Sequence, residues 1–102
     1  ELARADRKYF RFMHLCDGPA GPDGDPVLDN IKDELMLYTA REARFYPGEG
    51  VMDIAGMVKA MPGLPLSIEL PNLKEMEARG AAGHAARCLE TAKKYFAAHG
   101  VE

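Results

Sequence analysis

The sequence predicts an α/β protein with parallel strands, and three observations lead to this class. The 102 residues are 47% apolar and 28% charged, a composition typical of one globular domain. Strand-like segments alternate with segments whose apolar residues recur at helical spacing. Strands separated by helices pair in parallel through crossover connections. Because parallel sheets are covered on both faces, two strands alone indicate the end of a larger α/β barrel or sheet.

The first strand is expected over Lys8–Asp17, KYFRFMHLCD, which is rich in aromatic residues and contains no glycine or proline. Alternation along a strand puts His14 and Cys16 on one face and Met13 and Leu15 on the other. Apolar side chains on both faces are typical of a strand that is buried on two sides.

A segment rich in glycine and proline, GPAGPDGDP, follows this strand and predicts an irregular connection. Its two residues Asp23 and Asp25 are favoured as ordinary turn residues. Asp25 also caps a helix that is expected over Pro26–Ala43. Leu35 and Tyr38 belong to the apolar stripe of this helix and are expected to face inward.

After the loop FYPGEG, Asp53 is the predicted cap of a second helix, which ends near Met61. The apolar residues of this helix, Met57 among them, recur at i, i+3, i+4 and i+7, which is typical of one buried face. A second strand is predicted over Leu66–Leu70, and Pro71 ends it.

The last helical region is predicted in two pieces. Asn72 caps a short first piece, and the main piece runs from about Ala81 to Ala98, with Gly100 as its C-terminal stop. Two histidines, His84 and His99, belong to this region and are expected to be packed or exposed rather than catalytic. The residues expected to face inward are Leu89, Ala92, Tyr95 and Phe96.

Charge and composition argue against several partners. A net charge of −3 lacks the basic excess of a nucleic-acid surface. No apolar run approaches the roughly 18 residues that span a bilayer, and no signal peptide is recognised. Cys16 and Cys88 form no metal or disulfide pattern, so we expect a cytoplasmic protein. The first six residues resemble the last turn of a helix, so we also expect the chain to be part of a longer protein.

Polar side chains lie at the carboxyl ends of both predicted strands, where α/β proteins place their sites. These residues are His14, Asp17 and Glu69. A buried carboxylate without a partner costs several kcal/mol, so Glu69 needs a cation, a metal or a strong hydrogen bond. A histidine with a carboxylate suits Mn²⁺, Mg²⁺, Co²⁺ or Zn²⁺. The pattern alone leaves open that His14 is simply a hydrogen-bonded core residue.

Three segments in order, HLCDG, ARFYPGEGVMDIAGMVKAMP and PLSIELPN, resemble the C-terminal part of the xylose isomerase-like TIM-barrel superfamily. This superfamily includes sugar phosphate isomerases and epimerases, inosose and dehydroshikimate dehydratases, and endonuclease IV. The resemblance covers nearly the whole chain. It implies that the chain holds about strands 7 and 8, with their helices, of a (β/α)₈ barrel, which needs about 250 residues.

The resemblance also implies a role for four residues. His14 and Glu69 match two ligands of a catalytic divalent metal, and Arg44 matches an arginine that contacts substrate oxygens. Asp17 matches an acidic position beside the histidine, with an expected role in supporting the ligands. From the residues alone, it stays open that Arg44 is only a solvated loop cation. The other metal ligands and the acid/base carboxylate are implied upstream, so the isolated chain is expected to be inactive.

The function implied is a metal-dependent sugar or sugar-phosphate isomerase or epimerase that acts through an enediolate. A dehydratase of the inosose or 3-dehydroshikimate type shares that chemistry and stays open, as does a non-catalytic α/β module. Glu42 and Arg44 replace the aspartate and histidine that hold extra zinc ions in endonuclease IV, which argues against DNA repair. The expected partner is a small sugar or polyol-ketone, and the unpaired strand edges predict self-association of the isolated chain.

Overall fold

The computed structural model describes residues 2–19 and 33–101, and there it contains two short strands and three helices. The strands pair in parallel, which confirms the α/β class, whereas the expected barrel remains a prediction. The elements are two short 3₁₀ turns at Leu2–Arg4 and Arg7–Tyr9, the strands β1 (Met13–Leu15) and β2 (Leu66–Ile68), and the helices α1 (Asp33–Glu42), α2 (Ile54–Ala60) and α3 (Leu73–Ala98).

The register of the sheet sets which side chains share a face. His14 is opposite Ser67, and both are exposed on one side of the sheet. Leu15 is opposite Ile68 and is buried on the other side. The backbone N–H of Glu69 donates to the carbonyl of Leu15 at 3.0 Å, which carries the pairing one residue past β2. The expected burial of both faces of β1 is therefore not found, because the His14 side is exposed.

The strand predicted over residues 8–17 is wrong in its first half. The side chain of Asp6 accepts a hydrogen bond from the N–H of Lys8 at 3.1 Å, and the N–H groups of Tyr9 and Phe10 donate back to carbonyls three residues earlier. These local hydrogen bonds satisfy the N–H groups of Lys8, Tyr9 and Phe10, so these groups do not pair with a neighbouring strand. The 3₁₀ turn at Arg7–Tyr9 results.

The described part of α1 covers Asp33–Glu42, and the proposed turn and cap residues Asp23 and Asp25 lie outside the described residues. Leu35 and Tyr38 are 51% and 54% exposed, so the prediction that they face inward is wrong. The helix instead turns a different face, with Met36, Thr39 and Ala40, towards the end of β1.

Helix α2 forms as predicted, because the side chain of Asp53 accepts a hydrogen bond from the N–H of Gly56 at 3.0 Å. Ile54 and Val58 are buried and pack with Leu15 in the first core cluster. Met57 is exposed, and the prediction that it lies on the buried face is wrong. Fewer residues of this short helix are buried than its apolar pattern predicts. The partly buried residues that complete this cluster are Met52, Tyr95, Phe96 and Val101.

The two predicted pieces of the last helix are confirmed within α3. The side chain of Asn72 caps the first piece by accepting a hydrogen bond from the N–H of Glu75 at 3.0 Å. Gly80 separates the pieces at φ 73° and ψ 168°, a conformation that glycine adopts readily. Gly100, at φ 66°, follows the C-terminal cap as predicted. Ala92 is buried as expected, whereas Leu89 is exposed and its inward prediction is wrong.

A second core cluster joins α3 to the end of β2 through a buried histidine. Nε2 of His84 lies 2.9 Å from the carbonyl of Leu70, which can only accept, so this nitrogen carries the proton. In the tautomer with its proton on Nε2, Nδ1 accepts a hydrogen bond from the hydroxyl of Tyr46, at 2.7 Å. Tyr46 and Leu70 pack with Cys88 in this cluster, so His84 is packed, as predicted.

The substitution Tyr46→Phe is expected to lower the free energy of unfolding by about 1–3 kcal/mol, because it leaves a buried acceptor on His84 without its donor. Urea unfolding followed by circular dichroism measures the change. Tyr9→Phe is the matched control, since Tyr9 is 76% exposed and its substitution is expected to leave the unfolding midpoint unchanged. Equal midpoints for both variants would contradict the assigned hydrogen bond.

Candidate functional site

Arg44 follows α1 and connects it to the end of β2. Its Nη1 donates to Oε2 of Glu69 at 2.9 Å and to the backbone carbonyl of Glu69 at 3.2 Å. Its Nε donates to the carbonyl of Ala40 at 2.8 Å, within the last turn of α1. Hydrogen bonds at two positions of the guanidinium hold its plane in one orientation, as the rigid geometry of this group favours. The sequence-predicted residues Arg44 and Glu69 are thus in direct contact.

Glu69 directly follows β2, and His14 is the central residue of β1, opposite Ser67. The side chain of Glu69 is 53% exposed. The hydrogen bond from Arg44, with the nearby His14 and the charge of Arg44, holds the pKa of Glu69 below its usual range. His14 is itself exposed, and its ring makes an edge contact with Phe12 at 4.9 Å between centroids. Both predicted ligands are therefore open to solvent.

Asp17 has a different environment, because it is only 2% exposed and is surrounded by backbone N–H groups. Its Oδ1 accepts from the N–H of Gly18 at 2.8 Å and of Met52 at 3.0 Å. Its Oδ2 accepts from the N–H of Gly48 at 3.0 Å and of Gly50 at 3.1 Å. Hydrogen bonds of this kind replace the water that a buried carboxylate loses. Asp17 thereby holds the loop that contains PGEG.

The shape of this loop explains why position 50 is a glycine. The backbone of Asp17 pairs with that of Phe45 through two hydrogen bonds of 2.9 Å, which brings the loop against the end of β1. A side chain at Gly50 would collide with the carboxylate of Asp17 and the carbonyl of Gly18. Sequence reasoning missed the contact between Asp17 and this loop. The available signal was an acid at the end of a predicted strand together with the glycine-rich segment FYPGEG. A supporting role of Asp17 towards the metal ligands stays a prediction.

A cavity of about 270 Å³ lies on the other side of Arg44, between α1 and the end of β1, and we call it the Arg44 cavity. Cys16 is half-buried in its wall, and its Sγ lies 3.9 Å from Nη1 of Arg44. Sequence reasoning missed the residues that α1 and the loop contribute. The wall is almost wholly apolar and comprises Cys16, Met36, Thr39, Ala40, Arg44 and Met52, with the turn at 17–19.

His14 and Glu69 are of the right chemical type to bind a divalent metal, but two ligands are too few to hold one. Imidazole and carboxylate are suitable ligands, and Arg44 engages Oε2 of Glu69, leaving the other carboxylate oxygen for a metal. Over residues 2–19 and 33–101, no group of three histidine, cysteine, aspartate or glutamate side chains is arranged to hold an ion. His14 and Glu69 would hold a metal only with ligands from elsewhere.

Comparisons with protein-family models, with curated proteins and with solved structures gave no match for this chain. The superfamily therefore remains a resemblance carried by the motifs. In the part of the chain that the structure describes, no helix has the length and apolar content needed to cross a membrane.

The substitution Asp17→Asn is expected to lower the free energy of unfolding by about 3 kcal/mol. An amide keeps one acceptor oxygen but turns an NH₂ group towards two backbone N–H donors. Asp53→Asn is the matched control, because asparagine caps a helix about as well as aspartate, and its effect is expected to stay within about 0.5 kcal/mol. Urea unfolding compares the two, and equal effects would contradict the role of Asp17.

The substitution Arg44→Gln is expected to raise the pKa of Glu69 towards its usual value, because the donated hydrogen bond and the nearby charge are lost. The lowered pKa means that the ion pair stabilises the fold above the pKa of unfolded glutamate. That stabilisation is lost as the pH falls through the lowered pKa. NMR titration of the glutamate carboxyls measures the shift. Glu75, whose pKa is held low by Arg79, should titrate identically in both proteins. An unmoved Glu69 pKa would contradict the pair.

Proposed function

We propose that this chain forms about the last two strands of a TIM barrel that resembles xylose isomerase. We further propose that the whole enzyme is a divalent-metal-dependent isomerase or epimerase of sugars or sugar phosphates. The observation that supports this most is the ion pair of Arg44 and Glu69 directly after β2, with His14 exposed on the neighbouring strand of the parallel pair. These are the residues to which the resemblance assigns substrate and metal contacts, and the carboxyl end of the strands of a barrel is where active sites lie.

The exposed side of the sheet supports the proposal further. In a closed barrel one side of each strand faces the interior, and the other faces the outer helices. Here Leu15 packs against α2, while His14 and Ser67 are exposed on the opposite side. In the proposed barrel, that exposed side would face the interior, together with the corresponding sides of the remaining strands.

The ion pair between Arg44 and Glu69 argues against a purely structural module. Exposed ion pairs typically contribute little to stability, with a median of about 0–1 kcal/mol. Glu69 is more than half exposed, yet two hydrogen bonds join it to Arg44 and a third fixes Arg44 to α1. Such an oriented guanidinium is more useful for holding a ligand than for holding the fold.

In the proposed reaction Arg44 orients the substrate, because its planar fork donates to neighbouring hydroxyl, carbonyl or phosphate oxygens. Glu69 keeps Arg44 in place and, with His14, would hold the metal. The metal, when bound, polarises adjacent oxygens of a hydroxy-ketone. The carboxylate that moves the proton next to the carbonyl belongs to the part of the barrel outside this chain. We propose a cytoplasmic location, and Mn²⁺, Mg²⁺, Co²⁺ or Zn²⁺ as the metal.

In the full-length protein, His14→Ala and Glu69→Gln are each expected to weaken Mn²⁺ binding and ketose turnover by about 100-fold or more, since even residues that only support metal ligands contribute 10- to 100-fold. Metal titration and isomer analysis of the products measure both effects. The matched controls are His99→Ala and Glu77→Gln, which replace exposed residues of the same types.

Unchanged Mn²⁺ affinity and turnover in both variants would overturn the roles proposed for His14 and Glu69. A full-length protein that neither binds Mn²⁺ nor turns over a ketose would overturn the proposed function and leave the non-catalytic module. Formation of a dehydrated product instead of an isomer would show that the same site belongs to a dehydratase and not to an isomerase or epimerase. An inactive 102-residue chain beside an active full-length protein is the result expected if the remaining ligands lie upstream.

A further inference from the structure

A second cavity lies between α3 and the loop that contains PGEG, and we call it the Arg87 cavity. Its volume is about 360 Å³, which is enough for a small organic molecule. The residues of its wall belong to the segments 47–49 and 87–99, so the cavity is formed by described parts of the chain. Arg87, Thr91 and Lys94 contribute to it together, because positions four and seven apart share one face of a helix.

The loop separates this cavity from Asp17. The N–H of Gly48 donates to Oδ2 of Asp17 at 3.0 Å. On its other side the loop meets α3, since a side chain at Gly48 would come within 3.2 Å of the ring of Tyr95. The wall of the Arg87 cavity includes Tyr95 but neither Arg44 nor Glu69. The cavity is therefore distinct from the proposed active site.

The guanidinium of Arg87 has donors that the described residues do not satisfy. Its Nε is buried and has no hydrogen-bond partner there. Its Nη1 lies 3.6 Å from Oε1 of Glu90, and its Nη2 lies 3.8 Å from Oε1 of Glu49, which is too far for hydrogen bonds. The centre of the Tyr46 ring is 5.6 Å from Cζ, so a cation–π contact helps to hold the group in place. Unsatisfied donors on a partly buried arginine indicate an acceptor from outside the chain.

The charges of the wall favour an anion. Lys94 is exposed and forms no ion pair within the part of the chain that the structure describes. Glu49 contributes a carboxylate to the wall, and Arg87 is the second cation. Glu90 lies outside the wall and is 67% exposed, so water screens its charge. Two cations and one carboxylate give the wall one positive charge, in a chain whose net charge is −3.

The other groups of the wall suit a carbon skeleton. The hydroxyl of Thr91 and Nδ1 of His99 donate to backbone carbonyls of α3, each at 2.8 Å, so both donors are already engaged. Pro47, Ala98 and the ring of Tyr95 add apolar surface. The cavity therefore combines free cationic donors with an apolar wall, which matches a small molecule that has one anionic group.

We propose that the Arg87 cavity is a second binding site, for the carboxylate group of a small organic acid. Arg87 binds the carboxylate, because its planar guanidinium donates to two oxygens at once, and Lys94 adds positive charge. A carboxylate is favoured over a phosphate, since Glu49 opposes the second negative charge that a phosphate carries. The site depends neither on the barrel nor on isomerase activity.

The probe is 4-fluorobenzoate, with 4-fluorobenzamide as a neutral molecule of nearly the same shape. Fluorine NMR of the probe measures its affinity for the full-length protein. Arg87→Gln is expected to weaken binding at least about tenfold, because hydrogen bonds between charged groups are lost. Lys94→Gln removes only a nearby charge and is expected to weaken binding a few-fold. The matched controls Arg41→Gln and Lys93→Gln replace exposed residues outside the wall and are expected to leave the affinity unchanged.

Two further measurements separate a binding role of Arg87 from a structural one. In the unaltered protein, 4-fluorobenzoate is expected to shift the NMR signal of the Arg87 Nε–H, and 4-fluorobenzamide is not. Glu49→Gln is expected to tighten binding of 4-fluorobenzoate about fivefold, because a repelling charge is removed.

An Arg87 signal that 4-fluorobenzoate leaves unshifted would overturn the site, even if Arg87→Gln failed to fold. Equal affinity for the amide would overturn the preference for an anion. Tighter binding of inorganic phosphate than of 4-fluorobenzoate would overturn the carboxylate assignment. None of these results bears on metal binding or ketose turnover, so this site and the proposed function fail separately.

Discussion

The carboxylate of Asp17 accepts four backbone hydrogen bonds, and the loop from Gly48 to Met52 takes its course around it. A charged group that is 2% exposed is tolerated only because these donors replace its water. Through the loop, Asp17 fixes Met52 in the wall of the Arg44 cavity. Through its backbone pairing with Phe45, it also positions the segment that carries Arg44 next to the end of β1.

Arg44 transmits that arrangement to the second strand. It is held to α1 by Ala40 and reaches Glu69, which pairs with the end of β1 through its own backbone. One side chain therefore joins a helix and both strands at the edge where the proposed chemistry takes place. Because Glu69 keeps an oxygen free of Arg44, the same carboxylate is able to serve a metal and orient the guanidinium. The ion pair and the proposed site are compatible.

Local signals in the sequence were reliable at the starts of α2 and α3, where one short-range interaction decides the boundary. Asp53 and Asn72 each cap a helix within three residues, so both boundaries were predictable. Gly80 divides α3 where the two predicted pieces met. Predictions about inward faces failed for Leu35, Tyr38 and Leu89, since a helical repeat shows that a helix has an apolar face but not which element covers it.

The sequence by itself determined the alternation of strands and helices, the helix caps and the chemical types of His14, Arg44 and Glu69, because these follow from neighbouring residues and motifs. Only the tertiary structure decided that Arg44 bonds Glu69, that Asp17 is enclosed by four N–H groups, and that Met36 and Met52 meet around Cys16. Apart from the N–H of Gly18, which is next to Asp17, these contacts join residues that are 16 to 36 positions apart in the chain. Their formation depends on the path of the loops between them, which no local pattern specifies.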